Sequence, residues 1–295
     1  MRGAKTTVGH RLRVCASLAL LVAGCSSADD AGDAGADAVG PSTEDRRAAC
    51  TVSDDTARCD SMQVVTIDLG GDPRRAYWAL PTTAAPEGGY PAVILYQGSL
   101  YGPSMSWDVE LASDTPFGGY YQLVLIDSLL EAGFVVVQPE ASGGLVWNTN
   151  GLASYDSTGD AVFIPELLAQ IGDGVFGPVD TGQLYATGIS SGGYMTSRMA
   201  VSYPGRFVAL AIMAGSYATC LGPQCNPPDS LPDDHPPTLM LHGGADTTVP
   251  IGSARKYETL LLSEGVETRF VENASAGHEW LPSAPGEITA WFEDH

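Results

Sequence analysis

The sequence predicts an α/β protein: one eight-stranded, mostly parallel sheet with helices on both faces. Three observations carry this. Short apolar runs such as residues 92–97 (AVILYQ) and 134–138 (FVVVQ) show no polar alternation, as expected of strands covered on both faces. Stretches of helical length separate such runs along the chain. A Gly/Ser-rich motif at residues 188–193 (GISSGG) lies between a strand-like and a helix-like segment.

The elements follow in order. Residues 62–69 and 74–80 read as two strands around the turn Gly70-Gly71-Asp72-Pro73, hence antiparallel to each other. Residues 92–97 form a buried strand, 120–132 an apolar helix closed by Gly133, and 134–138 a further buried strand. Helix 160–171, strand 183–187 and helix 191–203 come next. Strands 207–213 and 238–241, helix 253–263, strand 268–272 and helix 287–293 complete the series. No internal repeat appears, and one catalytic domain over residues 50–295 is expected.

The first 49 residues read differently. Arg2, Lys5, Arg11 and Arg13 precede a short apolar stretch that ends Leu21-Val22-Ala23-Gly24-Cys25. This is the pattern of an export signal over residues 1–24, and the small residues before a Cys resemble a bacterial lipoprotein cleavage box with Cys25 as the lipidated residue. Residues 25–49 are rich in Ala, Asp and Gly, nearly free of large apolar side chains, and are expected to be a disordered acidic tether. An exported protein, lipid-anchored to a bacterial membrane or released, is the expectation. No apolar run is long enough for a transmembrane helix.

Composition narrows the function. The chain of 295 residues has 14 Lys+Arg against 35 Asp+Glu and a net charge of -21. Such a surface excludes a nucleic-acid binder, because little is present to displace counterions from phosphate. Clustered Arg or Lys for a polyanionic substrate is also missing. Four cysteines lie beyond Cys25: Cys50, Cys59, Cys220 and Cys225. An even number in an exported chain suggests two disulfides; three pairings exist, and the local one, Cys50–Cys59 with Cys220–Cys225, is expected. The spacing lacks C-x-x-C, so no metal site is expected, and no cofactor.

Three islands carry chemistry. Gly188-Ile189-Ser190-Ser191-Gly192 matches G-x-S-x-G, with a strand before it and a helix after it. That context is what a sharp turn needs to lift a serine hydroxyl off the sheet edge at a helix N-terminus. Asp246 follows the strand at 238–241 in a Gly-rich loop, and His278 follows the last strand within Ala276-Gly277-His278-Glu279-Trp280. The order Ser190, Asp246, His278 is that of α/β-hydrolases. A serine becomes a nucleophile when an imidazole takes its proton and a carboxylate fixes that imidazole's tautomer. Of the other histidines beyond residue 25, His235 sits in a Pro/Asp-rich loop, His242 precedes Asp246 and is read as packing or orienting that loop, and His295 is terminal. Backbone N–H groups of Ser191 and Ser99 are the expected oxyanion donors, the second from Gln97-Gly98-Ser99 after the third strand.

GISSGGYM, LHGGADTTVP and AGHEW together resemble the secreted esterase family of polyhydroxyalkanoate depolymerases and related feruloyl and acetylxylan esterases. GISSGG is similar to the motif of extracellular medium-chain-length polyhydroxyalkanoate depolymerases. The resemblance implies Ser190 as nucleophile, Asp246 as acid and His278 as base, and no insertion between the strands is long enough for a large lid domain. Gln97-Gly98 stands where many relatives have His-Gly, and no separate polymer-binding domain is visible. Tyr101, Trp107, Trp147, Tyr194 and Trp280 flank the catalytic loops and are expected to line an apolar, chain-holding groove. The leading function is hydrolysis of an aliphatic polyester or its oligomers by a monomer. The alternatives are a carbohydrate-ester esterase and a non-catalytic surface lipoprotein that binds a ligand.

Overall fold

The computed structural model of the chain describes residues 50–60, 62–149, 154–220 and 225–295. The expected signal, Cys25 and the tether therefore lie outside the described residues. All described residues belong to one unit, Pro41–His295.

Among the described residues the main sheet has eight strands: β3 (Gln63–Ile67), β4 (Arg74–Ala79), β5 (Tyr90–Tyr96), β7 (Val135–Pro139), β8 (Val179–Ile189), β9 (Ala209–Met213), β10 (Thr238–Gly243) and β11 (Thr268–Asn273). Their spatial order is β11-β10-β9-β8-β5-β7-β4-β3. Strands β5, β7, β8, β9, β10 and β11 pair in parallel. β4 is antiparallel to β3, as the hairpin predicts, and also to β7. Three short strands, β1 (Cys50–Val52), β2 (Ala57–Cys59) and β6 (Asp108–Val109), make a separate small antiparallel sheet that the sequence does not announce. Two- and three-residue strands carry too little periodicity to be read.

Among the described residues, five helices cover the faces: α1 (Gly119–Glu131), α2 (Gly159–Gly172), α3 (Ser191–Ser202), α4 (Ile251–Ser263) and α5 (Ala284–Glu293). Alternate residues of β5 point to opposite layers, which explains its unbroken apolar run. Val93 and Leu95 join α1 and α5 through Leu123, Leu129, Ile288 and Phe292. Ala92 and Ile94 join α2 and α3 through Phe163, Leu167, Met195 and Met199. Each such fully buried Val, Leu, Ile, Phe or Met side chain contributes about 1.5–3 kcal/mol of transfer free energy. α4 closes the β9–β10 end, where Tyr257 and Leu261 pack on Ile212 and Met240.

Disulfides join Cys50 to Cys59 across the β1–β2 hairpin and Cys220 to Cys225. This is the local pairing among the three.

Candidate active site

Parallel strands end together, so the loops after β5, β8, β10 and β11 meet at one edge of the sheet, where ligands bind in such folds. Tyr96 of β5 stands opposite Gly188 of β8, which places residues 97–99 beside Ser190. His242 and Gly243 of β10 stand opposite Glu272 and Asn273 of β11, which places the Asp246 loop beside the His278 loop. Hydrogen bonds from Gly244 N–H to Asn273 O (2.8 Å) and from Ala245 N–H to Ala276 O (2.9 Å) tie those two loops together.

Ser190 is the N-cap of α3 and has φ 57° and ψ -120°. A non-glycine residue in such a conformation costs on the order of 1–3 kcal/mol and persists only where the surroundings impose it. Its N–H donates to Met213 O at 3.0 Å, and its carbonyl accepts from Tyr194 N–H at 3.0 Å. The flanking glycines are needed for close approach. A Cβ at Gly192 would lie 2.1 Å from Tyr96 O, and one at Gly188 would lie 2.6 Å from the same atom. The motif's small residues thus let the turn sit against the end of β5.

Asp246 and His278 are hydrogen-bonded, His278 Nδ1 to Asp246 Oδ2 at 2.7 Å. The Asp246 carboxylate side chain is fully buried and that of His278 is 12% exposed. Oδ1 of Asp246 accepts from the N–H groups of Thr248 (2.8 Å) and Val249 (2.9 Å). Burial opposes ionisation of Asp246, but hydrogen bonds from His242, His278 and Val249 outweigh it and hold its pKa well below the ordinary carboxylate value. An ionised carboxylate only accepts, so His278 carries its proton on Nδ1 and leaves Nε2 as a base. Ser190 and His278 line the same cavity, and among the described residues Ser190 Oγ forms no hydrogen bond with the ring. Catalytic contacts of this kind often tighten only once substrate is bound.

His242 has the orienting place expected of it, and one contact more. It is buried, its Nε2–H donates to Val249 O at 2.7 Å, and the same nitrogen lies 3.4 Å from Asp246 Oδ2. It therefore closes the loop that presents the carboxylate and adds a donor beside it.

On the other side, Gln97 is fully buried. Its amide nitrogen donates to Gly98 O (3.3 Å) and Gly144 O (3.2 Å), and its Oε1 accepts from Ala141 N–H at 3.1 Å. This amide pins the loop of Gly98 and Ser99 to the turn after β7.

A cavity of about 290 Å³ opens at Ser190 and His278. Ser99, Tyr101 and Trp280 line it, as the sequence suggests, together with Leu100, Phe117, Ile189 and Thr248, which the sequence does not single out. Three expected groove aromatics do not line it. Trp107 is buried and donates from Nε1 to Gln138 Oε1 at 2.8 Å. Trp147 is 1% exposed and packs edge-on against Tyr96, with ring centroids 5.2 Å apart. Tyr194 is buried with Ile212 and Tyr257 under α4. Position on or beside a loop near the site was the only signal for these three, and large apolar surface draws such side chains into the core.

No family model matches the chain. Over 225 residues it is 48% identical to a poly(3-hydroxyoctanoate) depolymerase of Pseudomonas fluorescens, covering 75% of this chain and 80% of that one. Among solved structures, a thermostable esterase superposes with a TM-score of 0.62 at 18% identity, over 80% of this chain and 63% of that chain. A butyrate-bound thermophilic esterase of Thermogutta terrifontis gives 0.55 at 16% identity, over 80% and 92%. A putative dienelactone hydrolase of Klebsiella pneumoniae gives 0.54 at 17% identity, over 79% and 98%. With the α/β-hydrolase fold shown by those superpositions and close to half its residues shared over most of both chains, this protein belongs to the poly(3-hydroxyoctanoate) depolymerase family of carboxylic-ester hydrolases.

Proposed function

We propose that the chain is a serine hydrolase that cleaves the ester bonds of an aliphatic polyester, or its oligomers, through an acyl-enzyme on Ser190. The observation that carries this is the convergence of Ser190, on its strained turn, with the Asp246–His278 pair at one largely apolar cavity. The relative's polymer is a polyester with aliphatic side chains, and the walls formed by Leu100, Phe117, Ile189 and Trp280 suit such chains.

The chemistry then runs as follows. His278 Nε2 takes the Ser190 Oγ proton as Oγ attacks the ester carbonyl. The developing oxyanion is met by the N–H groups of Ser191, at the start of α3, and Ser99, on the loop held by Gln97. Collapse releases the alcohol end of the polymer, which takes the proton from His278. A water molecule repeats the sequence on the acyl-enzyme and returns free Ser190. Asp246 holds the Nδ1–H tautomer throughout and stabilises the transient imidazolium.

Export belongs to the same reading. Two disulfides fit an oxidising compartment. Residues 1–24 would be removed as a signal, Cys25 would carry lipid, and residues 25–49 would tether the catalytic domain 50–295, acting as a monomer.

The test is Ser190→Ala assayed on a soluble p-nitrophenyl ester and on a poly(3-hydroxyoctanoate) emulsion. Loss of roughly 10⁴–10⁶ in kcat is expected, with an unchanged thermal midpoint. A folded variant with wild-type turnover would remove Ser190 from the mechanism. Wild-type protein that cleaves the soluble ester but leaves the emulsion turbid would remove the polymer from the substrate range.

A further inference from the structure

Four non-glycine residues among those described have positive φ: Leu100 (64°), Phe117 (57°), Ser190 (57°) and Ala214 (45°). Three of them line the candidate site, and the fourth adjoins it. Ser190 is the proposed nucleophile, and Ala214 follows Met213, whose carbonyl holds the Ser190 N–H. Leu100 and Phe117 line the cavity from two loops that are 17 residues apart.

Left-handed backbone is costly for bulky side chains, and Gly or Asn is the usual occupant. Leucine and phenylalanine at such positions need a reason. Packing is not one, because Leu100 is 72% exposed and Phe117 is 47% exposed. The other large apolar walls, Ile189 and Trp280, are buried core residues whose apolar character the fold itself requires.

The backbone at both positions is nonetheless tied to neighbouring segments. The Leu100 N–H donates to Leu145 O at 2.9 Å, inside a turn closed by the antiparallel bridge between Gly98 and Tyr101. The Phe117 carbonyl accepts from Trp280 N–H at 2.9 Å, and a Cβ at the following Gly118 would lie 2.6 Å from Trp280 O. That docking sets the Phe117 ring edge-on to the His278 ring, with centroids 6.3 Å apart. The backbone is thus fixed in an unfavourable conformation so that two apolar side chains stand at the mouth of the cavity.

We propose that Leu100 and Phe117 are specificity-determining residues, a pair of apolar jaws that grip the aliphatic chain of an ester whose carbonyl lies at Ser190. This rests on the reading of the site as an ester hydrolase. Strain is retained at these two positions because the side chains act on the substrate and not on the fold. The longer the acyl chain of the ester, the more of its apolar surface the two side chains would cover.

The experiment compares kcat/KM for p-nitrophenyl acetate and p-nitrophenyl octanoate in Leu100→Asn, Phe117→Asn and the double variant. Asn tolerates left-handed backbone and removes the apolar surface, so folding is retained; Leu100→Gly serves as a second variant that also frees the backbone. Leu262→Asn, on the exposed side of α4, is the control. Each methylene withdrawn from contact is worth about fourfold in kcat/KM. With about two methylenes covered by each jaw, the octanoate-to-acetate ratio falls roughly fifteenfold in each single variant and further in the double. It falls similarly in Leu100→Gly and stays put in Leu262→Asn. A ratio within about twofold of wild type in the Leu100 and Phe117 variants overturns the jaws, as do equal losses on both esters. Wild-type protein inert to both esters would instead overturn the ester-hydrolase reading, and the jaws with it.

Discussion

Replacing Asp246 by Asn tests the proposed relay at the atom that sets it. The two carboxylate oxygens have different duties. Oδ1 accepts from Thr248 and Val249 N–H, and Oδ2 accepts from His278 Nδ1. In Asp246→Asn one position becomes an NH₂ group. If it faced the two backbone N–H groups, three donors would meet with no acceptor, at a cost of about 1–3 kcal/mol for each buried group left unpaired. The amide oxygen therefore keeps the backbone side and the NH₂ turns to His278. Nδ1 must then accept, which moves the ring proton to Nε2, and a protonated Nε2 has no lone pair for the Ser190 proton. The NH₂ also faces the His242 Nε2–H, 3.4 Å from Oδ2 in the parent, where donor meets donor. The substitution thus removes the charge that stabilises the imidazolium and fixes the wrong tautomer. In serine hydrolases the combined loss is ~10⁴ in kcat, or about 5.5 kcal/mol of transition-state stabilisation. The assay is kcat and kcat/KM on a soluble ester at neutral pH, with the thermal midpoint as a folding control and ¹⁵N shifts of the His278 ring reporting the tautomer. A folded variant that keeps more than about a tenth of wild-type kcat would refute the assignment of Asp246. So would a ring that keeps its proton on Nδ1.

Two further outcomes are expected. His235 is buried, its Nδ1–H donates to Pro236 O at 2.9 Å, and its Nε2 accepts from Tyr257 Oη–H at 2.7 Å. Burial lowers its pKa below 6.5, opposed by the Pro236 carbonyl and Asp234. The unfolded chain then binds the proton first as pH falls through 6.5, so the His235 contribution is present above that pH and lost below it. Thermal midpoints measured between pH 7.5 and 5 should fall less steeply in His235→Gln than in wild type; parallel curves would remove His235 as a source of acid sensitivity. For the anchor, Cys25→Ala should shift the protein from the membrane to the soluble fraction of producing cells while kcat on a soluble ester is unchanged. A membrane-bound pool that persists at its wild-type size would sink the lipidation reading.

Much of the candidate site was legible in the sequence because its signals are local. A strand, a turn of small residues and a helix around Ser190 are contiguous, and the steric need for Gly188 and Gly192 is written in the same six residues. The loops of Asp246 and His278 each follow a buried strand, and parallel pairing of β10 with β11 brings any two such loops to one edge. The unbroken apolar runs at residues 92–97 and 134–138 fixed the parallel sheet in the same way, since strands covered on both faces need no polar side.

What remained depended on contacts between distant segments. Trp107, Trp147 and Tyr194 lie on or beside catalytic loops in sequence, yet the folded chain buries all three away from the cavity, because loop position does not reveal which way a large ring turns. Leu100 and Phe117 look unremarkable in the chain and reach the cavity only because their backbone is held left-handed by Leu145 and Trp280. The antiparallel pairing of β4 with β7 and the small sheet of β1, β2 and β6 likewise rest on non-local hydrogen bonds. By itself, the sequence determined the fold class and the three residues proposed for the chemistry, through periodicity and short-range steric requirements. Only the tertiary structure decided which apolar side chains line the cavity, because that choice is made by long-range packing and backbone strain, and neither leaves a periodic trace in the chain.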